Sequence, residues 1–152
     1  MEKTKLGISF NLFAALLFFF GAVDIGVVLI ATGYVLLFEE NIKLKATAVK
    51  ALILTVFLTV LFSLVNSLSN LLTNIVSNIY PLFLIKEFDI LTYSSSMMYL
   101  QRIIQFILQF TNIFMYCLKI AIPILCGFRA YKGKEIKIKW IDNILEKHFN
   151  KE

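Results

Sequence analysis

Two ionisable side chains, those of Asp24 and Lys119, lie inside long apolar stretches of the sequence. Charges are costly in hydrocarbon, so intramembrane charges pair with each other or take part in moving ions. The two residues are therefore candidates for an intramembrane ion pair that ties two helices together. The alternatives are an Asp24 carboxylate that reaches water at the tip of a hairpin, and a role of the pair in moving protons or ions.

Uncharged polar residues form two stripes at helical spacing within the same apolar stretches. The first stripe consists of Ser63, Asn66, Ser67, Asn70, Asn74 and Ser77. The second stripe consists of Gln101, Gln105, Gln109, Asn112, Tyr116 and Lys119. Such side chains form hydrogen bonds between membrane helices, so the stripes predict interhelical packing within one copy or between copies. The alternatives are a water-filled groove or pore and a binding site for a hydrophobic peptide or lipid.

The sequence shows no residue set typical of an enzyme. Serine, histidine and acidic residues are scattered, and the glycines form no phosphate-binding loop. Cys117 and Cys126 are nine positions apart on one predicted helix, on opposite faces, and His148 stands far from both. We therefore expect no catalytic residues, no metal site and no cofactor, and we rank a membrane-embedded enzyme below the other functions.

The apolar stretches that carry the polar residues indicate membrane helices. Hydrophobic residues make up 59% of the 152 residues, and the mean hydropathy is +0.81. A soluble domain has about half of its residues apolar. Residues 6–38, 51–85 and 103–128 are almost free of charge, and each stretch exceeds the roughly 20 residues that a spanning helix needs. We predict an all-α, polytopic membrane helical bundle of about four transmembrane helices, which forms a single membrane domain.

The first apolar stretch, residues 6–38, is predicted to form a short hairpin of two helices. As one helix it would be about 50 Å long, against a hydrocarbon core of about 30 Å. Gly21 and Gly26 flank Asp24 and provide a break between two shorter helices. The charged start followed by apolar residues resembles a signal peptide, but no small-residue cleavage site follows, so we expect the segment to be retained.

Two longer helical regions are predicted after the hairpin. A spanning helix over 47–85 continues into an outer amphipathic segment. The region 97–128 has an amphipathic start, capped by the serines of residues 94–96, and then becomes the last spanning helix. Residues 129–152 form a basic cytoplasmic tail with an amphipathic C-terminal helix, because the apolar residues from Trp140 to Phe149 suit a helix lying on a membrane surface.

Basic residues determine the predicted orientation, since cytoplasmic loops carry excess lysine and arginine. These residues are concentrated before residue 6, in 39–50 and in the tail. We therefore expect a multi-pass protein of the cell membrane with both termini in the cytoplasm. The tail cations are predicted to set orientation and contact anionic lipid, and they are Arg129, Lys132, Lys134, Lys137 and Lys139. Nucleic-acid binding is not expected, because these cations lie beside a membrane and not on a folded basic surface.

Two short motifs resemble those of a known family. Residues 45–52 read Lys-Ala-Thr-Ala-Val-Lys-Ala-Leu, and residues 130–136 read Ala-Tyr-Lys-Gly-Lys-Glu-Ile. The chain resembles small four-helix bacterial and archaeal membrane proteins of uncharacterised function, related to the chloroplast inner-envelope protein-import (Tic-type) component. Thr47, Lys50 and Ile136 stand where that family has histidine, glutamine and commonly an aromatic residue. The resemblance implies a four-helix fold and a place in membrane protein translocation.

Small size, polar stripes and the missing catalytic set predict a non-enzymatic accessory or partner-binding subunit. Its partner would be another membrane protein or a second copy of the chain, and its setting protein translocation, membrane assembly or immunity to a peptide toxin. The alternative function is a small oligomeric channel or carrier lined by the two stripes.

Overall fold

The described part of the chain is all-helical. The computed structural model describes residues 4–83, 90–134, 136–138 and 141–142, and no β-strand occurs in these ranges. The helices in chain order are α1 (Phe10–Val23), α2 (Ile25–Phe38), α3 (Ile42–Phe83) and α4 (Ile90–Tyr131). The predicted all-α class is therefore confirmed.

Two of these helices are long and apolar enough to cross a membrane. The candidate spans are Ile42–Asn78 in α3 and Met98–Tyr131 in α4. Helices α1 and α2 have 14 residues each, and a helix of that size is about 21 Å long, shorter than a hydrocarbon core of about 30 Å. Two candidate spans are thus shown, not the four that were predicted.

The break between α1 and α2 falls at Asp24, within the predicted hairpin. Asp24 has extended backbone angles and is the N-cap of α2. Its Oδ1 accepts hydrogen bonds from the backbone N–H of Gly26 at 2.5 Å and of Val27 at 3.4 Å. These bonds satisfy two of the N–H groups that have no partner within a helix, so the carboxylate stops one helix and starts the next.

Both long helices begin earlier than predicted. Helix α3 begins at Ile42 and not near 47. Asn41 caps this start, because its Oδ1 accepts hydrogen bonds from the backbone N–H of Lys43 at 2.9 Å and of Leu44 at 3.3 Å. Helix α4 begins at Ile90, so the predicted cap at residues 94–96 is wrong and these serines lie within the helix. Helix α4 continues through Pro123 to Tyr131.

The chain divides into two compact units. The first unit consists of Met1–Thr59 and Leu118–Glu152, and the second consists of Val60–Cys117. The hydrophobic core of the first unit contains residues from α1, α2, α3, α4 and the tail, and its buried members are Phe13, Ala14, Ala15, Leu17, Phe18, Val35, Leu44, Ala48, Ala51, Leu54, Leu58, Ala130 and Ile141.

Candidate functional site

The second unit contains a polar contact between α3 and α4. The hydroxyl of Ser69 is buried and lies 3.3 Å from Oδ1 of Asn112. Near it, the Thr73 hydroxyl donates to the Ser69 carbonyl oxygen at 2.8 Å, and the rings of Phe62 and Tyr116 are 6.1 Å apart. Phe62 and Ser69 therefore contact α4 in this unit, and Thr73 lies on the same side of α3 by its helical spacing.

The second predicted stripe, here called the α4 stripe (Gln101, Gln105, Gln109, Asn112, Tyr116 and Lys119), lies partly on this contact. Asn112 accepts the hydrogen bond from the Ser69 hydroxyl, and Gln101 and Gln105 are half-buried. Gln109 and Tyr116 are exposed at the border of the same face. At about 100° per residue, Gln101 and Gln105 each lie within about 20° of Asn112 around the helix. The side of α4 that carries Asn112 is thus polar along most of its length in this unit.

The first predicted stripe, here called the α3 stripe (Ser63, Asn66, Ser67, Asn70, Asn74 and Ser77), does not lie on this contact. All six residues are exposed. The centre of the α3 stripe is about 100° around the helix from Ser69. Within the described part of the chain, the amides of Asn66, Asn70 and Asn74 have no hydrogen-bond partner. A row of exposed amides therefore lies beside the intramolecular contact.

Ser69 and Thr73 are residues that the stripe pattern missed. They lie four positions apart, the spacing that places two side chains on one helix face. The predicted polar face of α3 was defined by the three amides of Asn66, Asn70 and Asn74, which are more numerous than the two hydroxyls of Ser69 and Thr73. A signal was available, since Phe62, Val65, Ser69, Thr73 and Val76 continue at helical spacing the buried line of α3 that includes Leu54 and Leu58.

The two intramembrane candidates occupy different settings within the first unit. Asp24 is exposed at the tip of the hairpin, where its carboxylate caps α2. Lys119 is half-buried on α4. The capping bonds account for an acidic residue at position 24, while an ion pair with Lys119 stays a prediction.

The opposite end of the hairpin carries charged contacts. The backbone N–H of Lys5 donates to Oε1 of Glu39 at 3.0 Å, and Glu39 is only 5% exposed. The Lys5 ammonium forms an exposed ion pair with Glu40 at 2.7 Å. The hydrogen bond and charge of Glu40 raise the pKa of Lys5, and the same two effects of Lys5 lower the pKa of Glu40. The segment before α1 is thus attached to the turn after α2.

The tail returns to the same unit. The Lys50 ammonium forms an ion pair with Asp142 and donates to the carbonyl oxygen of Ile136 at 3.2 Å. Ile141 is fully buried in the core, with Ile136 and Ile138 packed against it. The prediction that Ile141 faces a membrane surface is therefore wrong, because its side chain lies against protein; Trp140, Ile144, Leu145 and Phe149 lie outside the described residues.

The predicted lipid-contact cations are available on the tail surface. Arg129, Lys132, Lys134 and Lys137 are exposed, and Lys139 lies outside the described residues. Gly133 has a positive φ of 68° just after α4, which allows the chain to turn there. The tail thus combines an apolar side that packs on the core with exposed cations.

Among the residues that the structure describes, no group of three or more His, Cys, Asp or Glu side chains could hold a metal ion. Cys117 is exposed and Cys126 is half-buried, and neither forms a disulfide. His148 lies outside the described residues.

Comparison with known proteins adds no relative. No family model matches the chain, and no curated protein or solved structure is significantly similar to it. The resemblance at residues 45–52 and 130–136 therefore stays a prediction.

Proposed function

We propose that this chain is a non-enzymatic, multi-pass protein of the cell membrane that acts as a partner-binding subunit. The observation that carries the proposal is the α3 stripe. Its amides are exposed on a helix long and apolar enough to span a membrane. Polar groups that face hydrocarbon without a partner are costly, so spanning helices place them against protein or water.

The proposal includes an orientation. Lys5, Glu39 and Glu40 meet at one end of the α1–α2 hairpin, and Lys50 holds Asp142 of the tail. These contacts support placing the N-terminus, the 39–50 loop and the tail on the same side of the membrane. Because these three segments carry an excess of lysine and arginine, that side is the cytoplasmic one in this proposal. Because α1 and α2 are about 21 Å long, the hairpin enters from the cytoplasmic side and returns without crossing.

The setting of such a subunit is also part of the proposal. The resemblance at residues 45–52 and 130–136 favours membrane protein translocation, with membrane assembly and immunity to a peptide toxin as the other settings. Each of these requires binding to another polypeptide within the membrane, and none requires a catalytic group.

Photocrosslinking in native membranes tests the proposal. A photoreactive amino acid is placed at Asn66, in the α3 stripe, and in a control variant at Leu68, which is 64% exposed. Leu68 is two residues further along and about 160° from Asn66 around the helix. We expect a discrete protein adduct from position 66 and only lipid adducts from position 68. Lipid adducts alone at both positions would contradict partner binding.

A further inference from the structure

The α3 stripe, whose amides have no hydrogen-bond partner within the described residues, has a regular spacing. Asn66, Asn70 and Asn74 recur at every fourth position, and Ser63 and Ser77 lie three positions before and after them. All five are exposed. They lie in a part of α3, from Ala51 to Phe83, that contains no charged residue. At 1.5 Å per residue, the three amides extend over about 12 Å of the helix.

The chemistry of this surface fits a copy of itself. An asparagine amide offers two donors and an acceptor oxygen with two lone pairs, so one amide is complementary to another. An ammonium or carboxylate stripe would instead repel its own copy. The border of the α3 stripe is apolar and exposed, with Val60 at 52% and Leu71 at 59%. A second copy would therefore provide both hydrogen-bond partners for the amides and apolar contacts around them.

The spacing of the amides fits helix-on-helix packing. Residues at i, i+4 and i+8 form a ridge, and two such ridges pack into each other's grooves at a right-handed crossing. Membrane helices use this arrangement at about −40° where small residues allow close approach. Ser63 and Ser67 are small and lie in the same stripe. Two α3 helices can thus approach closely enough for their amides to bond.

We infer that the α3 stripe is the interface of a parallel homodimer, in which Asn66, Asn70 and Asn74 of one copy face the same residues of the other. The inference rests on the proposed membrane placement. All copies insert with the same orientation when the basic loop and tail stay in the cytoplasm. The two-fold axis is then parallel to the membrane normal, so each residue meets its own counterpart.

Cysteine crosslinking tests the interface and its direction. On a background with Cys117 and Cys126 replaced by serine, single variants Asn66→Cys, Asn70→Cys and Asn74→Cys are oxidised in native membranes. We expect a disulfide-linked dimer from each variant. The matched control Leu68→Cys is exposed at a similar depth on the other side of α3 and should give at most background crosslinking.

Mixed expression determines the direction of packing. When differently tagged Asn66→Cys and Asn74→Cys copies are expressed together, a parallel pair gives disulfides only between identical positions. Disulfides chiefly between positions 66 and 74 would overturn the parallel arrangement. Crosslinking at position 70 no stronger than at Leu68→Cys would overturn the dimer itself.

A dissociation measurement adds a second readout. Asn70→Leu removes the amide hydrogen bonds and replaces the amide with an apolar side chain of similar size. Fluorescence energy transfer between labelled copies in vesicles should show a dimer dissociation constant about threefold higher for each hydrogen bond lost, because one such bond is worth about 0.6 kcal/mol in a membrane on average. Asn70→Gln keeps the amide and should retain most of the affinity. An unchanged constant in Asn70→Leu would contradict the proposed amide contact.

The outcomes separate this inference from the proposed function. A photoadduct of position 66 with a different polypeptide would keep partner binding and overturn self-association. An adduct between two differently tagged copies would support both. Lipid adducts alone would overturn both.

Discussion

Small side chains determine how closely the helices of the first unit approach one another. A Cβ atom at Gly21 would overlap the hydroxyl of Thr55, which donates to the carbonyl oxygen of Ala51 at 2.8 Å. A Cβ atom at Gly127 would lie 2.5 Å from Cε1 of Phe19. Helix α1 therefore contacts α3 and α4 at positions where only hydrogen fits.

Replacing Gly127 by alanine should destabilise the protein. The added methyl group meets the Phe19 ring, and overpacking of this kind costs about 1–3 kcal/mol. Gly33 is the matched control, because nothing lies within 4 Å of its added Cβ. Gly33→Ala should be neutral or stabilising by up to about 1 kcal/mol. Reversible unfolding in mixed detergent, followed by circular dichroism, compares the two; equal effects would exclude the steric explanation.

Asp24 should act mainly through hydrogen bonding. Asp24→Ala removes the cap of α2 and should cost about 0.5–2 kcal/mol. Asp24→Asn keeps a side-chain oxygen for the N–H of Gly26 and should cost clearly less. An ion pair with Lys119 predicts the opposite pattern, in which both variants lose the charge and lose comparable stability. The same unfolding assay separates the two roles.

The exposed pair of Lys5 and Glu40 makes folding stability depend on pH, with a sign that follows from the two pKa shifts. The stability that this pair contributes is present above the unfolded pKa of Glu40 and is lost as the pH falls through the lowered folded pKa. At the alkaline end, it is lost as the pH rises through the raised pKa of Lys5. A carbon-13 titration of the Glu40 carboxyl should give a midpoint below 4.5. Lys5→Met should raise this midpoint, and Lys43→Met should change it less.

Among the helices, α3 is bonded to the tail through a residue near its start. Lys50 contacts both Asp142 and the Ile136 carbonyl oxygen, and the side chains of the ion pair are 21% and 23% exposed. Partial burial reduces solvent screening of this pair compared with the exposed pair of Lys5 and Glu40. The tail is thus attached by charge as well as by the buried Ile141.

A double-mutant cycle measures this attachment. Lys50→Met and Asp142→Asn each remove one partner, and we expect a coupling free energy of about 1 kcal/mol between them. Hydrogen exchange of the Asp142 amide, which donates to Ile138 at 2.8 Å, should accelerate in both single variants. Lys132→Met removes an exposed tail cation and serves as the control. Additive effects with no coupling would show that burial of Ile141 alone holds the tail.

The elements also show what the sequence can predict. The break at Asp24 was predictable because a single acidic residue between two glycines interrupts an apolar run. The orientation of α3 was not, because the α3 stripe and the line through Ser69 lie on one helix and polarity alone does not say which side faces α4. Burial of Ile141 was not predictable either, since an amphipathic tail fits a membrane surface and a protein core equally well.

At the scale of the whole molecule, the two units differ in how completely they cover their helices. The first unit has a closed core with contributions from all four helices and the tail. Within the residues that the structure describes, the second unit contains parts of α3 and α4, and most of its large apolar residues are exposed, including Leu64, Phe106 and Phe110. Under the proposed membrane placement, lipid or another polypeptide covers these residues.

Thiol labelling distinguishes a dry interface from a wet pore at the α3 stripe. On the cysteine-free background, Asn66→Cys and Asn70→Cys should react slowly with a water-soluble maleimide in permeabilised native membranes, because a packed amide interface excludes the reagent. Lys132→Cys, on the exposed tail, is the reactive reference, and Leu68→Cys is the lipid-facing reference. Dilution in detergent, which separates copies, should speed labelling of position 70. Labelling of positions 66 and 70 in membranes as fast as that of position 132 would instead mean that water lines the stripe, and would favour an oligomeric channel or carrier over a partner-binding subunit.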